Sequence, residues 1–229
     1  MNRWVVTAVL SCLIAYPCGA FALTIDTTTP HGTTSGSDRV LVGCRDFGLG
    51  WMAVVCVNDR YFFINANGCS LDQNVYIYGD DGADNMYDVS VSTPSPLLCV
   101  AGGIAADWKQ LFHGSYVVEL YGQDDDDNLT CGKASCRLYG GNDDDYLLNH
   151  SDYRTDGQAG NDEVVCDANL STVDLFGGSG DDCLWSAGSN TQTSTFDCGS
   201  DSTDDYYVNS ITDEVNCELT TSQCGFSFQ

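Results

Sequence analysis

Carboxylates placed just behind glycines recur through this 229-residue chain. The first runs are Tyr78-Gly79-Asp80-Asp81-Gly82-Ala83-Asp84-Asn85-Met86 and Tyr121-Gly122-Gln123-Asp124-Asp125-Asp126-Asp127-Asn128-Leu129. Next come Tyr139-Gly140-Gly141-Asn142-Asp143-Asp144-Asp145-Tyr146-Leu147 and Gly157-Gln158-Ala159-Gly160-Asn161-Asp162-Glu163-Val164. Leu175-Phe176-Gly177-Gly178-Ser179-Gly180-Asp181-Asp182-Cys183-Leu184-Trp185 follows, then a weaker run from Gly199 to Tyr206 with Asp204 and Asp205. Glycine admits positive φ, which lets several main-chain carbonyls point one way. Aspartate adds a charged oxygen donor. Oxygen donors gathered like this are the chemistry of a hard cation. The same residues also build ordinary tight turns, and a solvated aspartate needs no metal.

These turns must be held by something that repeats. From Gly122 on, the leading glycines step by 18, 17, 20 and 22 residues, and the step from Gly79 is 43. A glycine turn plus a short strand takes about nine residues, so two halves make a coil of roughly 18. The apolar residue two places after the last Asp is Met86, Leu129, Leu147, Val164, Leu184 or Tyr206. Alternation along a strand turns these residues inward. One such unit cannot bury a core alone, but a stack can.

The pattern resembles the calcium-binding nonapeptide of the repeats-in-toxin (RTX) family, GGxGxDxUx with U a large apolar residue. Gly177 to Trp185 fits at every defined position. The other copies are degenerate: Asp80 stands for the second Gly, Asp143 for a third, and Gly122 to Thr130 keeps only the first Gly, the Asp and the Leu. The resemblance covers about 78–217 and implies a parallel β-roll with calcium between the turns of successive coils. Carried over by position, the ligand-bearing turns are Gly79, Asp81 and Asp84, then Gly122, Asp124 and Asp127, then Gly140, Asn142 and Asp145. The later ones are Gly157, Gly160 and Asp162, then Gly177, Ser179 and Asp182, with Asp204 in the last turn. Stacked at about 4.8 Å, neighbouring sixth-position charges repel by roughly 3–4 kcal/mol at an effective dielectric of 20. Calcium between turns would convert that repulsion into a clamp and couple folding to metal binding.

The formal charge of −25 fits this reading, and it equally fits a salt-adapted acidic protein. It disfavours nucleic acid as a partner. Met1-Asn2-Arg3, the apolar run Trp4 to Tyr16 and Ala20-Phe21-Ala22 read as a secretory signal peptide over 1–22, cleaved after Ala22. The run is short for a membrane span, so a secreted or cell-surface location is expected. Eleven cysteines remain after cleavage, with no CxxC pair, which favours disulfides over zinc. The expected pairs are Cys198–Cys217, Cys166–Cys183 and Cys131–Cys136, with Cys224 as the odd thiol.

The expected fold is therefore all-β, a disulfide-stabilised parallel β-roll or β-helix solenoid with about one glycine–Asp turn per coil. A polar lead-in covers 23–37, the solenoid 38–217 and a tail 218–229. Val40-Leu41-Val42, Trp51 to Val57, Tyr61 to Ile64 and Val75 to Tyr78 read as strands of degenerate N-terminal coils or a cap. Residues 94–114 read as an inserted loop with a short helix around Ala105 to Phe112.

Catalytic signatures are sparse. There is no HExxH, and Gly178-Ser179-Gly180 lacks the rest of a nucleophile elbow. Asp143 and Asp145 would be the acid and base of a glycan-acting enzyme. Trp51, Trp108, Trp185, Tyr153 and Tyr207 would serve a lectin-like glycan binder. The principal expectation is a secreted calcium-binding module with a structural, adhesive or interaction role, not an enzyme, meeting a glycan or cell-surface partner.

Overall fold

The computed structural model describes residues 23–26, 38–46, 50–57, 60–65, 68–71, 74–88, 108–109, 116–132, 135–150, 154–166, 173–186, 195–199, 205–208, 213–215, 217 and 219–220. Among these the chain is all-β. An eight-stranded parallel sheet runs β1 (Leu23–Asp26), β5 (Val75–Asp81), β8 (Val118–Asp124), β10 (Cys136–Asn142), β12 (Thr155–Ala159), β14 (Asp174–Ser179), β16 (Thr195–Asp197) and β18 (Asp213–Val215). A second sheet stacks β2 (Arg39–Asp46), β6 (Asn85–Asp88), β9 (Asn128–Cys131), β11 (Tyr146–Asn149), β13 (Glu163–Cys166), β15 (Cys183–Ser186), β17 (Asp205–Val208) and β19 (Leu219–Thr220). Each strand of the first sheet is followed by one of the second. This is a β-solenoid, as the repeat spacing predicts.

Alternation fills the space between the sheets. Ile77, Leu120, Leu138 and Leu175 enter from the first sheet, and Met86, Leu129, Leu147, Val164 and Leu184 from the second, all at 0% exposure. The register stacks like on like, Leu147 beside Leu129 and Val164. Each coil alone would leave its apolar residues in water, so burial links every coil to its neighbours.

The N-terminal end is closed by antiparallel strands. β3 (Trp51–Val57) pairs with β2, and β4 (Arg60–Asn65) pairs with β3. Ala53, Val55 and Val57 continue the core there. The expected cap is thus present. Two boundaries differ from expectation. The segment read as a polar lead-in opens with β1, which pairs with β5 in parallel. The segment read as a tail holds β19, paired with β17. The helix expected around Ala105 to Phe112 is replaced at Trp108–Lys109 by a strand, β7, antiparallel to Cys44 and Arg45 of β2. A sheet edge offering main-chain partners overrides the weak local preference there. The signal segment 1–22 lies outside the described residues, and no described helix is long and apolar enough to cross a membrane.

Disulfides join Cys131 to Cys136 and Cys198 to Cys217, as expected, and also Cys44 to Cys69. The expected Cys166–Cys183 bridge does not form. Cys166 stands opposite Ser186 and Cys183 opposite Glu163, three places apart in register, so the two side chains leave opposite faces of the sheet. Cys183 is bonded elsewhere, and Cys166 is a buried thiol. Among the described residues Cys166 is thus the free cysteine; Cys224, the expected odd thiol, lies outside the described residues.

The register makes a sharp expectation. Leu147→Ala, on the core face, should cost about 2–5 kcal/mol in chemical denaturation. Leu148→Ala, its half-buried outward neighbour, should cost clearly less. Equal losses would mean the face assignment is wrong.

Candidate functional site

Among the described residues the glycine–aspartate turns lie on one edge of the solenoid, where the first sheet bends into the second. The leading glycine shares the parity of the core residues before it, as Gly140 does with Leu138. The sixth-position aspartate shares the parity of the core residue after it, as Asp145 does with Leu147. Both therefore point inward and meet in the corner. Asp84, Asp127, Asp145, Asp162 and Asp182 are 1–3% exposed. A Cβ on Gly79, Gly122, Gly140, Gly157 or Gly177 would fall well inside 3.0 Å of the Oδ2 of that coil's aspartate. It would also strike the carbonyl oxygen of the next coil's leading residue at 2.5–2.7 Å. Glycine is required because the carboxylate fills the place of its side chain.

Each of these carboxylates joins two coils. Oδ1 of Asp84 accepts the main-chain N–H of Asp38, and Oδ1 of Asp127 that of Asp84, both at 2.7 Å. Asp145 accepts from Asp127 at 2.8 Å, Asp162 from Asp145 and Asp182 from Asp162 at 2.9 Å. The aspartate's own carbonyl accepts from the following coil as well, for example Glu163 N–H to Asp145 O at 2.8 Å. The strand ladder leaves the aspartate N–H without a carbonyl, and the next carboxylate supplies one.

The second oxygen is the anomaly. Oδ2 of Asp127, Asp145 and Asp162 is buried with no hydrogen-bond donor. A Cβ built on the leading glycine would meet both this oxygen and the next coil's carbonyl oxygen, itself only an acceptor. Burial pushes the Asp145 carboxyl up to about 8, opposed by the Asp127 amide and reinforced by the charges of Asp162 and Asp127. Burial likewise pushes Asp127 and Asp162 up to about 7. Such a corner needs a proton on Oδ2 or a cation against it.

The middle of each turn faces water. Positions two and four have positive φ whether or not they are glycine: Gln123 (89°) and Asp125 (74°), Gly141 (140°) and Asp143 (74°), Gln158 (80°) and Gly160 (149°), Gly178 (122°) and Gly180 (129°). The sequence departures at Asp125 and Asp143 thus preserve the turn, since aspartate tolerates the left-handed region better than most residues. A second, exposed rank runs outside. Asn142 Nδ2 donates to Asp124 Oδ1 at 2.6 Å, and Asp144 N–H to Asp126 Oδ1 at 3.1 Å. Asn161 N–H donates to Asp144 and Asp181 N–H to Asn161, each at 2.8 Å. Ser179 is exposed in the same rank, and the backbone of Asp81 pairs with that of Asp124.

The sequence-derived ligand set therefore divides. Its leading glycines and sixth-position aspartates meet in the corner, whereas Gly160 stands in the middle of its turn against the Asp143 carbonyl. Asp124, Asn142 and Ser179 lie on the outer rank. Asp204 is outside the described residues. Cys198, not Gly199, takes the leading position of the last turn, because its carbonyl meets Gly177 as Gly140 meets Gly122. Among the described residues no three Asp, Glu, His or Cys side chains converge on one point as a metal group. A cation at this edge would take one buried carboxylate per coil and main-chain carbonyls for the rest. The oxygen-only donor set and the uncompensated Oδ2 fit a hard cation.

The other candidate groups are placed differently. Asp145 is buried and Asp143 exposed, so the two do not face one cleft. Trp51 is partly buried against the core, and Trp185 is half-buried. Tyr153 lies outside the described residues, as do the side chains of Trp108 and Tyr207. On the outer face of the first sheet, Tyr78, Tyr121 and Tyr139 stack ring on ring at 4.7 and 4.6 Å. Both faces of Tyr121 and the inner faces of Tyr78 and Tyr139 are covered by this stacking.

Compared with protein-family models, with curated proteins and with solved structures, the chain finds no match.

The corner fixes three outcomes. Folded carboxyls raised above the unfolded range near 4 hold protons that the unfolded chain releases. Their contribution to metal-free stability is complete below about pH 4 and is lost as pH rises through 7–8. Thermal melts in chelator should show this decline. In Asp145→Asn, Oδ1 still accepts the Asp127 amide and Nδ2 gains a carbonyl to donate to. That variant should be more stable than the parent in chelator at pH 8, by about 1–3 kcal/mol. Gly140→Ala should lose roughly 1–3 kcal/mol from the enforced clash, read by the same melts.

Proposed function

We propose that the chain is an exported calcium-binding β-solenoid, ordered by the ion outside the cell, with a structural, adhesive or interaction role. The observation that carries this is the rank of buried aspartates, in which Oδ2 of Asp127, Asp145 and Asp162 fills the place of the leading glycine's side chain and has no hydrogen-bond donor. Asp84, Asp127, Asp145, Asp162 and Asp182 would each give the carboxylate, and the carbonyls of Gly122, Gly140, Gly157, Gly177 and Cys198 flank them. When bound, calcium supplies the positive charge that lets these carboxylates stay ionised in the core. The protein's own part is to hold the carboxylates in line through the Oδ1 bonds and to exclude water with Met86, Leu129, Leu147, Val164 and Leu184. The near-regular spacing from Gly122 and the complete nonapeptide at Gly177 to Trp185 support the RTX-like reading. The disulfides and the leader-like first 22 residues support export.

Calorimetric titration of chelator-treated protein tests the proposal. We expect calcium to bind at several equivalents and to raise the melting temperature at pH 8. We expect Asp145→Asn to lose at least one equivalent while remaining folded. Absence of binding heat, together with identical melts in calcium and in EDTA, would refute it.

A further inference from the structure

We propose that Asn128 is a position at which this chain takes an N-linked glycan, and that Asn149, in an equivalent acceptor sequence, must stay bare for the coils to close. Calcium has no part in this. Three Asn-x-Ser/Thr acceptor sequences are present: Asn128-Leu129-Thr130, Asn149-His150-Ser151 and Asn169-Leu170-Ser171. Asn169 lies outside the described residues. The transferase that attaches such glycans reads a chain as it enters the secretory lumen, before it folds. The fold then decides which product can exist, because the glycan is bulky and needs the surface.

The two described acceptors stand on neighbouring strands and differ in parity. Asn128 opens β9, one place before the inward Leu129, so its side chain leaves by the outer face of the second sheet. It is half-buried, between Asn85 of β6 and Tyr146 of β11. Its main-chain N–H donates to the Asp84 carbonyl at 2.8 Å, and its carboxamide makes no hydrogen bond among the described residues. A sugar on that Nδ2 removes no bond of the fold. Asn149 closes β11, two places after Leu147, shares its inward parity and is 0% exposed. Its Nδ2 donates to Oγ1 of Thr155 at 2.6 Å, and Thr155 is 0% exposed as well. In register Asn149 stands between Cys131 and Cys166, both fully buried. A sugar on this Nδ2 has no solvent to enter. A packed core already resists one or two added methylenes, and a sugar ring is far larger. A chain modified there cannot close the corner between β11 and β12 and is left to the triage of unfolded protein.

Secretion of the full chain from cultured eukaryotic cells, behind the host's own secretion signal, tests this. Peptide mass spectrometry after enzymatic glycan release in heavy-oxygen water marks each asparagine that carried a glycan. In the soluble secreted protein Asn128 should be marked and Asn149 should not. Chains marked at Asn149 should be confined to the insoluble fraction inside the cells. Asn128→Gln should remove the Asn128 glycan and leave the circular dichroism unchanged. Ser151→Ala erases the second acceptor sequence and keeps Asn149, and it should raise the secreted yield about twofold or more. A bare Asn128 in the secreted protein, a glycan on Asn149 of folded secreted chains, or a yield indifferent to Ser151→Ala would each overturn the proposal.

Discussion

The structure depends on one interaction, repeated five times: a main-chain N–H given to the carboxylate of the next coil's aspartate. It ties coil to coil at the one place where the strand ladder leaves a donor unmet. It also forces a charged group into the core. The Oδ1 bond is worth about 1.5–3 kcal/mol when the carboxylate is ionised. Neighbouring ionised carboxylates at strand spacing repel by roughly 3–4 kcal/mol, and Oδ2 adds an uncompensated burial cost. While Oδ2 is bare and ionised the two costs together exceed the bond, so the state of Oδ2 decides whether the edge is a clamp or a weakness. A proton or a hard cation resolves it in the same direction.

Much of the fold is legible in the sequence. Glycine spacing identifies the coil, and alternation assigns Met86, Leu129, Leu147, Val164 and Leu184 to the core. The corner is legible too, although spacing alone obscures it. Asp145 stands two residues before the inward Leu147, so parity turns it inward as well, and Gly140 shares parity with inward Leu138. Reading the aspartates only as turn ligands overlooks that they are core residues. The same parity separates Cys166 from Cys183 and rules out their bridge.

What sequence does not reveal is set by long-range pairing. β7 forms because β2 offers an edge, which no local feature of Trp108–Lys109 announces. β1 and β19 are two short strands that gain their order from neighbours far along the chain or at the stack's end. Cys198 in the leading position appears only in register, because the last turn is one residue longer than the others and its carbonyl, not its side chain, fills the role. The positive φ of Gln123, Asp125, Asp143 and Gln158 likewise reflects the fixed geometry of a stack imposed on imperfect copies.

The most direct test of the central claim is an NMR titration of the aspartate side-chain carboxyl carbons, in chelator and in calcium. The account predicts that the carboxyls of Asp127, Asp145 and Asp162 titrate near 7–8 without metal. In calcium the same resonances should remain those of ionised carboxylates well below that range. Titration of all three near pH 4 in both conditions would contradict it.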